Sequence, residues 1–223
     1  MTAGPRETET ACMEGAMFVV TADQVASRRD ADRTGALIAE LADRYGDQLV
    51  FPPDQTAGDE IQLVTESAHT ALGILLDATR SRRWSVGVGV GDIRTPLPDA
   101  ARKASGSAFI AAREAVGSAK RADGRFALRS GSDAAAVRAA EAESLLRLLV
   151  LLRERRTDHG WEVVDLMRAG HRQKDVAALL DVSAAAVSAR LKAAMWRAEE
   201  DARPALEHLL EQLDHESATS ATA

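Results

Sequence analysis

The stretch VFPPDQTAGDEIQLV, Val50–Val64, sets two apolar runs on either side of Gly58 and Asp59. Glycine takes the positive φ that a tight reversal needs, and aspartate readily hydrogen-bonds the backbone of a turn. The flanking residues are rich in Val, Ile and Phe, which suit a pleated surface. The spacing therefore predicts two strands, QLVFPP and EIQLVT, folded back on each other through Gly58-Asp59.

The rest of the first half alternates in the same way. AMFVVTA is an apolar run with clustered β-branched residues, and ADRTGALIAELADRYG places Leu37, Ile38, Leu41 and Tyr45 at helical spacing. SAHTALGILLDATRS predicts a second helix, WSVGVGVGDI a strand, GSAFIAAREAVGSAK a helix and GRFALRS a last strand. Gly87, Gly89 and Gly91 fall on one side of the alternating strand, so that a helix, that of Arg113, can pack close to the backbone. They lie inside the strand and so do not form a phosphate loop. The order βαββαβ, extended by one helix and one strand, predicts the α+β class: a ferredoxin-like antiparallel or mixed sheet covered by helices on one face. From Asp133 onward alanine, leucine, arginine and glutamate dominate and strand signals stop. The expected organisation is an α+β domain over 16–132 and an all-α domain over 133–214. Residues 1–15 and 215–223 read as disordered.

Bulk properties narrow the function classes. The 223 residues are 46% hydrophobic, enough for a buried core, and the net charge of -6 provides no global field for nucleic acid. Any nucleic-acid surface must be a local patch. The longest apolar run, Leu148–Leu152, is far short of the roughly 20 residues needed to cross a bilayer. The N-terminal sequence lacks the basic start and apolar core of a secretion signal, and the cytoplasm is the expected compartment. Cys12 has no partner cysteine, and the five histidines are scattered, which gives no support to a transition-metal site.

The local patch appears in HRQKDVAALLDVSAAAVSARLKAAMWR, His171–Arg197. Ala177 and Leu180, Val182, and Val187 and Leu191 stand where two crossing helices and the turn between them must meet. Small Ala177 admits close approach, Ser183 is placed to cap the second helix, and Asp181 occupies the left-handed position of the turn. Residues 168–197 carry six basic and two acidic side chains, a net +4 within an acidic protein. The stretch resembles the tandem-helix DNA readers typified by region four of sigma factors. On the expected recognition helix, which Ser183 precedes as a DNA-facing cap, the exposed positions are Ala184, Ala185, Ser188, Ala189 and Lys192. Arg190 on its flank is the best guanine reader, and Arg172, Gln173 and Lys174 suit phosphates. The leucines of AEAESLLRLLVLLRERR and ALEHLLEQLD fit either the core of this domain or a dimer seam.

The carboxylates of the first half raise a second possibility. Asp23 follows the first strand and Asp59 lies in the hairpin, so the two would be close if those strands are neighbours, and together they could hold Mg²⁺. They could equally cap the following helix and satisfy the turn. The arrangement resembles the catalytic domain of class III nucleotide cyclases, in which such carboxylates hold metal. On that resemblance Arg113 is the triphosphate arginine, while Phe109 stands where the family has an asparagine, so cyclisation is not expected. Asp23 with Ser27-Arg28, Gly58-Asp59-Glu60-Ile61-Gln62, the glycines Gly87, Gly89 and Gly91, and Ala112-Arg113-Glu114-Ala115 occur in the order of the SatD family, which they resemble over roughly residues 17–130. The likeness implies a ligand site at Asp23, Ser27, Arg28 and Arg113. The expected function is DNA binding in transcriptional regulation by a homodimer, with the first domain pairing subunits or sensing a nucleotide, Mg²⁺ being the possible cofactor. The alternatives are a metal-dependent nucleotide-processing enzyme and a protein-interaction scaffold.

Overall fold

Gly58 adopts φ +59° and closes the hairpin where the sequence places it, between β2 (Phe51–Ala57) and β3 (Glu60–Thr65). The structure, a computed structural model, describes residues 17–26 and 33–219. Among them β1 (Met17–Gln24), α1 (Thr34–Tyr45), the hairpin, α2 (Ala68–Arg80), β4 (Trp84–Gly91), α3 (Ser107–Ala119) and β5 (Phe126–Ser130) follow one another. α4 (Ala136–Glu154), α5 (Asp158–Arg168), α6 (Gln173–Leu179), α7 (Ala184–Ala193) and α8 (Trp196–Thr219) complete the chain. The strand order is β2-β3-β1-β4-β5; neighbours among the first four are antiparallel and β5 runs parallel to β4. This is the ferredoxin-like split of two βαβ units with one added edge strand, and the class is α+β with a mixed sheet.

Helices cover both faces of the sheet, not one as expected. β4 explains the difference. Val86, Val88 and Val90 point with Phe18 and Val20 toward α1 and α2, where Leu37, Leu41, Leu72 and Leu75 bury them. Gly87 and Gly89 point the other way, and α3 lies directly on them. A Cβ at Gly87 would come within 2.7 Å of Val116 Cα, and one at Gly89 within 2.8 Å of Ala112 Cα. The helix has small residues to match, with Ala108, Ala112 and Ala115 buried along the seam. The connections through α2 and α3 thus advance the same way across the sheet on opposite faces. They are of opposite hand, and one departs from the usual right-handed crossover.

The change in composition near Asp133 marks the end of the strands but not of the core. Ala139, Ala142, Leu146 and Val150 of α4, and Leu206, Leu210 and Leu213 of α8, pack in the same cluster as the sheet. Both leucine-rich segments are therefore core elements of the first unit and not of the helical one. α8 runs on to Thr219, through the start of the expected disordered tail; residues 1–15 and 220–223 lie outside the described residues. The exposed edge of β5 is also closed by α4. Glu143 accepts the Leu128 N–H at 2.7 Å, and Arg147 donates to the Phe126 carbonyl at 2.9 Å.

Two outcomes check this packing. Gly89→Ala should lower Tm by roughly 5–10 °C, because the helix must move off the strand. Gly117→Ala, on the exposed side of α3 with nothing within 4 Å, should instead raise it by roughly 2–4 °C through helix propensity. Equal effects of the two in calorimetry would refute close packing. The second outcome concerns Asp214, whose Oδ1 is buried on α8 with no hydrogen-bond partner. Burial pushes its carboxyl up to about 6. A raised pKa favours the folded state when protonated, and that advantage is lost as pH rises through about 6. Asp214→Asn should therefore be more stable than the parent at pH 8, with the gap closing by about pH 4.

Candidate nucleic-acid interface

α5, α6 and α7 have a core of their own. Val163 and Val164 of α5, Val176 and Ala177 of α6, and Val187 and Leu191 of α7 are buried together, with Leu180 and Val182 packed at the turn. The turn is built as its sequence requires. Asp181 takes φ +50°, and the Ser183 side chain accepts the Ala186 N–H at 3.1 Å, which caps α7. A short helix, a tight turn and a capped second helix crossing it are the local geometry of a helix-turn-helix.

Its outer surface is polar and open. Arg172, Gln173, Lys174, Ser183, Ala184, Ala185, Ser188 and Lys192 are all exposed. Arg190 is different: it donates to Glu162 on α5 at 3.2 Å and its side chain is only 26% exposed. The arginine expected to read guanine therefore braces α7 against α5. Arg172 is exposed but pairs with Asp175 at 3.0 Å. Lys174, Lys192 and Arg197 have no ion-pair partner among the described residues. The alanines at 184 and 185 leave the start of α7 narrow, which allows close approach to a groove.

Behind this surface lies a buried ionic joint that sequence reading missed. Glu199, in the first turn of α8, is fully buried and bonds Arg153 of α4 through Oε1 and Arg156 through Oε2, the latter at 2.5 Å. Arg168 of α5 reaches the same carboxylate at 2.6 Å. Remaining donors find backbone: Arg153 gives to the Leu76 carbonyl at 2.9 Å and Arg156 to that of Ala194 at 2.7 Å. Trp161 of α5 packs under the guanidiniums of Arg80, Arg153 and Arg156, 4.2–4.8 Å from its ring centre. Arg80 of α2 also holds Asp165 through two bonds of 2.9 and 2.6 Å. Burial pushes Arg153 down to about 10. The same burial would raise Glu199, but the guanidiniums of Arg153, Arg168 and Arg156 outweigh it and hold the carboxyl below its usual range. One signal could have revealed the joint: Arg153 falls on the same side of α4 as Leu146 and Val150, and a buried charge requires a partner.

The first unit brings some of its expected ligand residues together. Asp23 stands opposite Glu60 across the β1–β3 ladder, and the Gln24 N–H reaches the Asp59 carbonyl at 3.3 Å. Lys120, at the end of α3, bonds Asp23 Oδ2 at 2.7 Å and supplies its counter-charge. Thr56 donates to Glu60 at 2.7 Å. Among the described residues no three His, Cys, Asp or Glu side chains converge where an ion could sit. Asp59 lies in the hairpin turn, and only its backbone carbonyl makes a recorded contact there, to Gln24. Arg113 is exposed on α3, Phe109 packs in the second face's core, and Ser27 and Arg28 lie outside the described residues. A cleft of about 860 Å³ opens beside Trp161, between the α1–α2 end of the sheet unit and α5. Its walls carry six arginines and six carboxylates, a balance that favours neither sign of ligand.

No helix among the described residues is long and apolar enough to cross a membrane. No family model matches the sequence, and no curated protein matches it.

The joint is open to direct measurement. Glu199→Gln leaves Arg153 and Arg156 buried without a counter-charge, a change that costs about 3–5 kcal/mol, and Tm at pH 7 should fall by roughly 10 °C. Because the carboxyl is held below its usual range, its contribution is present above about pH 4.3 and fades as pH falls through the folded value. The difference between parent and variant should therefore narrow in acid. A gap that is constant from pH 7 to 3 would show that charge is not what holds the joint.

Proposed function

We propose that this is a cytoplasmic DNA-binding protein acting in transcriptional regulation, with α7 as the recognition helix and the sheet unit as the platform that pairs and orients it. The observation that carries the reading is the open face of α6 and α7. Gln173 and Lys174 project from one helix and Ser188 and Lys192 from the next, all exposed, around a narrow alanine start. Lys174, Lys192 and Gln173 suit phosphates, while Ser188 is the side chain placed to meet base edges. Ser188 is permissive and Lys192 is flexible, so sequence discrimination is modest and affinity depends on backbone contacts. The likeness to SatD proteins and to cyclase-related domains belongs to this proposal as a relation of fold. It brings no reaction with it, because Asp23 is neutralised by Lys120 and Phe109 is apolar.

Fluorescence anisotropy of the full chain on labelled duplexes tests the proposal. Binding should be measurable at low salt for all sequences. Lys174→Ala and Lys192→Ala should each weaken it and reduce the magnitude of the log-affinity against log-salt slope by about 0.9. Arg172→Ala should do less, since Asp175 already holds that guanidinium. A folded parent with no affinity for any duplex at about 50 mM salt would refute the reading.

A further inference from the structure

We propose that α4 is a homodimer seam, in which two copies pair through antiparallel α4 helices about a twofold axis at Leu148. The inference rests on the DNA-binding reading for its purpose, since it supplies the pairing that a weak reader needs. Its evidence lies in α4 alone.

One side of α4 is spent on the core through Ala139, Ala142, Leu146 and Val150. The opposite side carries exposed apolar residues among charged and half-buried ones. Val137 is 71% exposed, Leu148 64% and Leu145 46%, three of the six exposed large hydrophobic residues among those described. At about 100° per residue, Val137, Glu141, Leu145, Leu148, Leu151 and Arg155 all project within roughly 60° of the Leu148 direction. A stripe of this kind on a monomer marks an interaction surface. A partner strand is not its occupant: the neighbouring edge of β5 is already closed by Glu143 and Arg147.

The charges of the stripe select a second copy. Glu141 lies one heptad before Leu148 and Arg155 one heptad after it, and neither has an ion-pair partner within its own chain among the described residues. In an antiparallel pair centred on Leu148 each residue faces the one equally far on the other side. Glu141 then meets Arg155 of the other copy at both ends, Leu145 meets Leu151, and Leu148 meets itself. Such a contact is isologous and closes at two subunits. A single helix pair is a small interface, so the dimer should form in the micromolar range.

Sedimentation of the full chain without DNA, from about 1 to 200 μM, separates this proposal from the DNA reading. The parent should show a monomer–dimer equilibrium, and Leu148→Arg should be monomeric with an unchanged circular dichroism spectrum. Glu141→Arg should weaken pairing roughly tenfold by opposing Arg155 twice, and Glu141→Arg with Arg155→Glu should recover it. In a Cys12→Ser background, oxidation should link Leu148→Cys into a covalent dimer and leave Val137→Cys unlinked. A parent that stays monomeric at about 200 μM overturns the proposal. So does a dimer that survives Leu148→Arg, a charge swap without recovery, or equal linking at positions 137 and 148. DNA binding by a monomer would leave the helix-turn-helix reading standing while removing the seam.

Discussion

A single buried carboxylate fixes the relation between the two parts of the chain. Glu199 has no contact with water, and its oxygens are taken by guanidiniums from α4, from the link to α5, and from α5 itself. One negative charge serves three hydrogen-bonded arginines and a fourth, Arg203, at 3.8 Å, so the joint is cationic in sum. It persists because carbonyl oxygens of Leu76 and Ala194 and the face of Trp161 receive what the carboxylate cannot. Even so, Arg153 Nε and Arg156 Nη1 remain without partners. Apolar residues of similar volume could have made a contact at least as stable. What they could not supply is direction. Bonds to named oxygens of α2, α7 and α8 allow few relative orientations, and the open face of α6 and α7 is held by that geometry.

A second constraint runs through the sheet. Removing the side chains at Gly87 and Gly89 lets α3 lie against the β4 backbone. Lys120, just past its last turn, arrives at Asp23. The same packing leaves Arg113 exposed on the helix exterior. The chemistry at the end of β1 thus follows from an architectural feature of the neighbouring strand: an ammonium from α3 sits beside Asp23.

Features determined within a few residues were legible in the sequence. The Gly58 hairpin, the glycine side of β4, the Ser183 cap and the left-handed Asp181 each depend on local backbone geometry, and each stands where the chain predicted it. Features that depend on distant partners were not. The leucine spacing of α4 and of the second half of α8 shows that each has an apolar side, but spacing does not say which core receives it; both joined the sheet. Nothing near Arg190 reveals that Glu162, 28 positions away, binds it. Helices on both faces were foreshadowed by the glycines, yet the order of elements pointed to a sheet covered on one face.

The distribution of partners also changes what the basic patch can do. Counted from the sequence, residues 168–197 hold six cations. Arg168 is committed to Glu199, Arg190 to Glu162 and Arg172 to Asp175, which leaves Lys174, Lys192 and Arg197. If each of these three releases one counterion on DNA, the salt slope per protomer is about -2.7, against about -5.4 for all six. A slope that shallow implies weak binding that survives moderate salt poorly in absolute terms but changes gently with it. Doubling the number of helix-turn-helix units doubles the slope and brings the second contact in at an effective concentration set by the scaffold. The rigid joint at Glu199 matters most in that setting, because two readers gain from being tethered only if their spacing is held.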